Sequence, residues 1–407
     1  MRFPEFKGEW EVKKLGEVAE FKVTNSFSRD NLNYENGTVK NIHYGDIHTK
    51  FQTLFDITKE TVPYINEEIS INRISEDSYC KEGDIVFADA SEDLNDVGKS
   101  IEILNLNNEK LLSGLHTLLA RPRANYFQIG FNGYLFKSNT VRLQIQKESQ
   151  GSKVLSINVG RISNVKLSFP SFSEQQKITS LLSLVDDRIQ TQSKIIENLK
   201  TLINATSEKL FTRKLRFKDD IGNDFPDWKN KLGSEVFDSI TNKKHNSDLP
   251  ILAITQEHGA IPRDLIDYQI SVTNKSIKSY KVVEIDDFII SLRSFQGGIE
   301  YSNYKGICSP AYIILRNKIE IDNRFYKYYL KTDSYIKLLN KKLEGIRDGK
   351  MISYAYFSEI NLSFPFIEEQ TKIARFLSSI DDKIKIERKI LEQLETQKKY
   401  LLSNLFI

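Results

Sequence analysis

The 407-residue sequence predicts an α+β protein built as a tandem repeat: two mixed α/β domains, each followed by a long helix, with the two helices paired as an antiparallel coiled coil. Three observations predict it. Residues 167–211 (LSFPSFSEQQKITSLLSLVDDRIQTQSKIIENLKTLINATSEKLF) and 362–406 (LSFPFIEEQTKIARFLSSIDDKIKIERKILEQLETQKKYLLSNLF) align without a gap at a constant offset of 195, with about 20 of 45 positions identical. Upstream, WEVKKLGEVAEFKVTN from Trp10 resembles WKNKLGSEVFDSITNKK from Trp228, with Thr24 and Asn25 facing Thr241 and Asn242 at an offset of 217. Between these edges lie strand-like runs that have diverged. The offset falls from 217 to 195 across the unit, so the second globular domain is shorter by about 22 residues. Boundaries follow at 1–165 and 216–360 for the globular domains, and at 166–215 and 361–407 for the helices.

The helical half reads in detail. Pro170 and Pro365 end the preceding strand, because proline neither donates to a ladder nor sits inside a helix. Ser173 and Gln176 have capping-box spacing. A seam then runs Leu182, Val185, Ile189, Gln192, Ile196, Leu199, Ile203, Thr206, Leu210 at alternating steps of three and four. The second copy gives Leu377, Ile380, Ile384, Glu387, Leu391, Leu394, Lys398, Leu401, Leu405 in the same register. This is a heptad pattern over about four repeats, with a polar residue at one matched seam position. Some 35 residues of helix span roughly 50 Å. An apolar stripe of that length needs a partner, and the other copy supplies one.

In the globular halves, EGDIVFADAS (82–91) and IDDFIISLRS (285–294) read as aspartate-initiated strands leading into polar loops. YIILRN and VRLQI read as further strands, and 325–345 as a helix ending at glycine. Hydrophobic residues make up 40% of the chain, enough for packed cores. Two distant cysteines, Cys80 and Cys308, fit a reducing compartment. The opening MRFPEFKGEW lacks the apolar core of a signal peptide and no run approaches a membrane span, so a cytoplasmic chain is expected. The net charge of +3 hides an asymmetry: residues 20–150 carry about five more acids than bases, and 224–350 about three more bases than acids. Contact with nucleic acid therefore has to come from local basic loops.

Catalytic motifs are missing. Gly98-Lys99-Ser100 ends like a phosphate-binding loop, but Asp93 stands where the upstream glycine is required. No two prolines adjoin, as the proline-proline signature of adenine methyltransferases demands, and there is neither Gly-x-Gly-x-x-Gly nor His-Glu-x-x-His. His43, His48, His116, His245 and His258 have no acidic or cysteine partners at metal-ligand spacing, so no metal is expected and each reads as a surface or satisfied core histidine. Asp381-Asp382-Lys383 resembles a nuclease triplet but lies on the helix, where a solvated charged face explains it.

LSFPSFSEQQKI and LSFPFIEEQTKI, each followed by a helix with V-D-D-R-I or I-D-D-K-I, closely resemble the specificity subunit of type I restriction–modification systems. SKVLSINVGRIS (152–163), GKMISYAYFS (349–358), and the leaders LGEV (15–18) and LGSEV (232–236) add to the resemblance, which spans essentially the whole chain. It implies two target-recognition domains, each reading one half of a split, asymmetric site in double-stranded DNA. It also implies that the helices fix the gap and dock two modification (methyltransferase) subunits. S-adenosylmethionine, ATP and magnesium belong on the modification and restriction (translocase/nuclease) subunits, and this chain carries no cofactor and no catalytic residue. The alternative is a coiled-coil adaptor clamping two protein partners without DNA.

Base edges are read by Arg, Lys, Asn and Gln. In the second domain RSFQGG (293–298) offers Arg293 and Gln296 as readers, with glycines that permit close approach, and Lys243 and Lys244 suit phosphates. The matching stretch of the first domain, 90–100, is acidic, which moves the choice to Lys22, Asn25 and Arg29, with Arg121 and Arg123 beside them. The seam residues Leu182, Val185, Ile189, Ile196, Leu199, Leu377, Ile380, Ile384, Leu391 and Leu394 are the candidates for helix pairing and partner docking.

Overall fold

The computed structural model describes residues 2–123, 125–246, 248–266, 277–341 and 352–406. The chain forms two compact units, Met1–Gln192 with Ile390–Ile407, and Ser193–Lys389. Each contains one globular domain, the first half of the helix that follows it, and the last part of the other long helix. The long helices are Phe172–Phe211 and Ile367–Asn404. At 40 and 38 residues they exceed the sequence expectation, and each is about 60 Å long.

In the first unit a five-stranded sheet runs in the order Ala19–Lys22, Thr117–Pro122, Ile85–Ala88, Ser100–Asn105, Leu54–Asp56. The second unit repeats the first four places with Phe237–Ile240, Ile313–Asn317, Phe288–Ile290 and Glu300–Tyr301. In both, a short antiparallel pair closes the domain: Glu11–Lys14 with Lys166–Phe169, and Lys229–Leu232 with Asn361–Phe364.

The aspartates that open the two central strands now have a physical role. Asp84 accepts the backbone N–H of Lys81 (2.8 Å) and both arms of the Arg121 guanidinium (2.9 and 2.8 Å). Asp287 does the same with the N–H of Glu284 (2.8 Å) and with Arg316 (both 2.7 Å). Each carboxylate is 1% exposed, so a paired arginine on the neighbouring strand is what makes its burial tolerable. The aspartate fixes the turn into the strand and the arginine fixes the register beside it.

Two short helices follow each sheet, Phe131–Leu135 and Asn139–Glu148 in the first unit, Asn323–Tyr329 and Asp333–Asn340 in the second. VRLQI, expected as a strand, lies in the helix Asn139–Glu148: Ser138 starts it and Val141 and Ile145 bury one face at helical spacing. The stretch expected as one helix over 325–345 is two, broken at 330–332 where Thr332 caps the second by accepting from the Tyr335 N–H, and its last residues lie outside those described. So do the first residues of GKMISYAYFS.

The Glu-Gln pair of each signature ties these parts together. Glu174 and Gln175 are each 1% exposed, and Glu369 and Gln370 are fully buried. Gln175 donates to the carbonyl of Pro170 (2.9 Å) and of Tyr126 (2.9 Å), and accepts from the Gln128 N–H (2.8 Å). Gln370 donates to Pro365 (2.9 Å) and accepts from the Asp322 N–H (3.0 Å). The glutamates receive bidentate arginines, Arg2 on Glu174 (2.8 and 2.7 Å) and Arg216 on Glu369 (3.1 and 3.0 Å). Trp228 adds its indole N–H to Glu369 (2.8 Å), while the corresponding N–H of Trp10 is buried without an acceptor among the described residues. The first long helix begins at Phe172, so Ser173 sits inside its first turn, and Gln175 rather than Gln176 makes the structural bonds.

Within the first unit the start of one long helix packs on the end of the other. Ile178, Leu182 and Val185 share a core with Leu401, Leu405 and Phe406, and Lys398 pairs with Asp186. In the second unit Phe211, at the end of the first long helix, packs edge-on against Phe325 and at a tilt against Tyr329. The first aspartate of each D-D motif is therefore not part of a solvated face. Asp186 accepts the Tyr134 hydroxyl (2.9 Å), and Asp381 accepts the Tyr328 hydroxyl (2.6 Å) and the Lys327 ammonium (2.7 Å). Asp382 and Lys383 are exposed, as the sequence suggested for all three.

Arg121→Leu should leave Asp84 buried and unpaired and lower unfolding stability by about 3 kcal/mol. Arg316→Leu should cost less, because that side chain is 40% exposed. Urea unfolding followed by circular dichroism measures both, and equal or negligible losses would contradict the role of the pair.

Candidate nucleic-acid interface

Strand order brings three loops of each domain to one end of its sheet. In the first domain these are the loop after Lys22, the loop after Ala88, and the loop before Thr117. They are stitched together by Thr24 donating to the Thr117 carbonyl (3.2 Å), the Asn25 N–H to Ser113 (3.0 Å) and the Asp89 N–H to His116 (3.0 Å). In the second domain the loops after Ile240 and Ile290 and the one before Ile313 meet in the same way. There the Val282 N–H donates to Asn242 (2.7 Å) and the Lys281 ammonium to Tyr312 (2.6 Å). The Arg–Asp pairs lie at the opposite end, where the central strands begin. One end is thus locked, and the other presents loops whose sequences differ between the copies.

The candidates of the first domain divide accordingly. Arg121 is spent on Asp84 and Asp77 at the locked end, and its guanidinium is held further towards the charged form by the Asp84 hydrogen bonds. Lys22 bonds Asp77 (2.6 Å) and Glu20 (2.9 Å), which likewise raise its affinity for the proton. Asn25 donates to Asn41 (2.7 Å) and Ser113 (3.1 Å) and accepts from the Phe27 N–H (3.0 Å), so its amide organises the loop. Arg29 donates to the buried Asp46 (2.7 Å) and to the Tyr34 hydroxyl (3.0 Å), yet its side chain stays 42% exposed. Arg123 is exposed, with no ion-pair partner among the described residues.

The second domain keeps its candidates outside. Lys243 and Lys244 are exposed beside Lys281, whose own proton affinity is lowered chiefly by burial. Arg293 and Gln296 are exposed on either side of the buried Ser294, in the short helix Ser294–Gly297. Their two glycines serve the fold. Gly298 has φ +80°, and a Cβ there would run into the Leu330 carbonyl oxygen; one on Gly297 would come within 2.6 Å of the Gln256 amide carbon. The close approach these glycines permit is of protein to protein.

Sequence reasoning passed over a second set in the first domain. Asp46, with no exposed surface, pins Lys50 (3.0 Å) as well as Arg29, and Lys50 lies 5.5 Å from the Tyr34 ring centre. Tyr44 gathers His43, His48 and His116 around its ring. His43 accepts from the Gly45 N–H (3.1 Å), and burial followed by the nearby Arg29 lowers its proton affinity. The acidic loop 90–100 is folded back, because Arg142 donates to the carbonyls of Asn95 (3.0 Å) and Val97 (2.7 Å). The spacing of these residues carries no periodic signal, and only the tertiary fold collects them.

Along the helices Leu182 and Leu377 are fully buried, Val185, Ile196, Ile380 and Ile384 nearly so, and Ile189, Leu199, Leu391 and Leu394 partly. Gln192 and Glu387 are also buried. Among the described residues no helix is long and apolar enough to cross a membrane, and no cluster of His, Cys, Asp or Glu could hold a metal ion.

Residues 7–201 and 227–396 each match the profile of the type I restriction modification DNA specificity domain. A putative type I restriction enzyme specificity subunit, MjaX of Methanocaldococcus jannaschii, is 30% identical over 98% of this chain and 93% of its own length. The MjaVIII specificity subunit of the same organism is 29% identical over 66% of this chain and 68% of its own. The crystal structure of a type I restriction–modification S subunit from M. genitalium shares the fold over 100% of this chain and 99% of its own, with a TM-score of 0.57 at 15% identity. Two copies of the DNA specificity domain on one chain, in the order the repeat announced, place this protein in the family of type I restriction–modification specificity subunits.

Proposed function

We propose that each globular domain reads one half of a split, asymmetric DNA site with the loop end of its sheet. The two long helices set the gap between the halves and dock two modification subunits. The observation that carries this reading is the contrast between the ends of each sheet: the same Arg–Asp pair with its carboxylate buried at one end, and unlike loops at the other. A scaffold that holds its frame while varying one rim suits a reader of two different sequences. On this reading Arg293 and Gln296 face base edges in the second half-site, Lys243 and Lys244 face phosphates, and Arg29 serves the first. Arg123, which follows the Arg121 strand at the locked end and donates its N–H to the Val18 carbonyl, lies off this rim. Linking the two readers makes the second contact intramolecular, so two weak recognitions become one selective site.

Ile195 and Ile390, equivalent in the repeat, are 37% and 38% exposed on the long helices, and Leu184, Leu202 and Ile386 are more exposed still. Repeated apolar exposure on two like helices suits two like partners. Those modification subunits bring S-adenosylmethionine and methylate an adenine in each half, while restriction subunits bring ATP, magnesium and cleavage. This chain contributes no catalytic group and works in the cytoplasm.

The decisive test is mapping of methylated adenines in a host expressing the complete complex: the proposal requires a two-part motif that disappears without this chain. Binding of duplex DNA by the assembled complex should weaken steeply as salt rises, since phosphate contacts release counterions; salt-insensitive association without a DNA shift would instead indicate an adaptor. Arg293→Ala should relax one position of one half-site by about tenfold and leave stability within about 0.5 kcal/mol. Gly298→Ala should do the reverse, costing roughly 2 kcal/mol or more of stability without altering the bases read. Inserting one heptad after Gln192 and another after Glu387 adds about 10 Å of helix, close to three base pairs of gap, with both halves unchanged.

A further inference from the structure

On the rim of the first domain, His116 is both half-exposed and held in place by its neighbours. His116 follows Gly114-Leu115 in the loop before the Arg121 strand and has φ +56°, a left-handed backbone uncommon for a residue with a Cβ. Its side chain is 51% exposed. The ring is nevertheless held on two sides. Tyr44 packs edge-on at 5.3 Å between centroids with an interplanar angle of 74°, and the Asp89 carboxylate lies 3.2 Å from Nδ1. Tyr44 is itself fixed by His43 at 4.6 Å and by His48, whose Nε2 lies 3.1 Å from the Ala90 carbonyl. The loops after Ala88 and before Thr117 therefore meet at this imidazole, and the Asp89 N–H donates to the His116 carbonyl to close the contact.

The chemistry of the free edge follows from the bound one. A carboxylate accepts only, so Nδ1 carries the proton that it donates to Asp89, and the lone pair of the neutral ring is left at Nε2. An acceptor fixed on an exposed rim matches the one major-groove feature that donates: the exocyclic amine of adenine or cytosine. At the matching position of the second domain, 195 residues on, stands Ala311, after Pro310. Resting on the reading of this end as a DNA interface, we propose that His116 is a specificity-determining residue of the first domain, accepting at Nε2 a hydrogen bond from the exocyclic amine of an adenine or cytosine in its half-site. Asp89 and Tyr44 are positioning residues: one sets the tautomer and the other the ring plane.

The test is methylated-adenine mapping in a host expressing the complete complex with His116→Gly or His116→Asn, both compatible with the left-handed backbone. In the glycine variant, one adenine or cytosine position of one half-site should become degenerate, with discrimination falling about tenfold while the other half and the gap stay as they were. The asparagine variant, with a shorter amide, should alter preference at that same position, and it decides alone if the glycine variant does not accumulate. An unchanged motif in the variants, or a loss of occupancy spread evenly over all positions, overturns the role of His116. Absence of any two-part motif with the unaltered chain would instead overturn the reading of the loop end, and this proposal with it.

Discussion

Everything in this fold depends on carboxylates that only a particular arginine makes tolerable. Glu174 and Glu369 lie at the starts of the long helices with no meaningful exposure, and each is held by an arginine from the leader that precedes its domain, Arg2 or Arg216. Taking such a charge out of water costs several kcal/mol unless it is paired and hydrogen-bonded. The adjoining glutamines bind the proline carbonyl before the helix and the backbone that leads into the domain's first short helix. Leader, domain and helix are thus fastened at a single point, twice. That geometry explains why the proline–glutamate–glutamine motif stands in both copies of the repeat although none of its residues faces DNA in the proposed reading.

The same economy separates frame from function within each domain. Asp84 with Arg121 and Asp287 with Arg316 set two central strands in register, so the loops at the far end can change without moving the sheet. The copies have used that freedom differently. The second domain presents lysines, an arginine and a glutamine on short loops. The first has folded its acidic loop back under Arg142, and raises an aromatic–histidine cluster and an arginine–lysine pair held by Asp46. Its excess of acids is therefore partly consumed inside the fold.

Much of this was legible in the sequence. The repeat, the heptad seam and the proline stops are periodic or punctuating signals, and these need no tertiary context. What escaped is what depends on it. VRLQI has the composition of a strand, and only burial of Val141 and Ile145 on one face makes it helical. Asp381 looked like part of a charged surface until Tyr328 and Lys327 turned out to bond it. Arg121, Lys22 and Asn25 were sensible base readers by residue type, but type does not show whether a side chain is already engaged; their partners Asp77, Asp84 and Asn41 lie 16 to 55 residues away. His116 reads from sequence as a surface or satisfied core histidine, because neither its backbone nor its neighbours are visible in one dimension.

The central claim is that the loop end of each sheet, rather than the locked end or the long helices, meets the duplex. Amide hydrogen exchange of the assembled complex, with and without a duplex carrying its methylated motif, tests this most directly. The account predicts DNA-dependent protection in residues 23–34, 89–99 and 113–117 of the first domain and 241–246, 291–298 and 309–312 of the second. Protection confined to the long helices, or to the turns around Asp84 and Asp287, would contradict it.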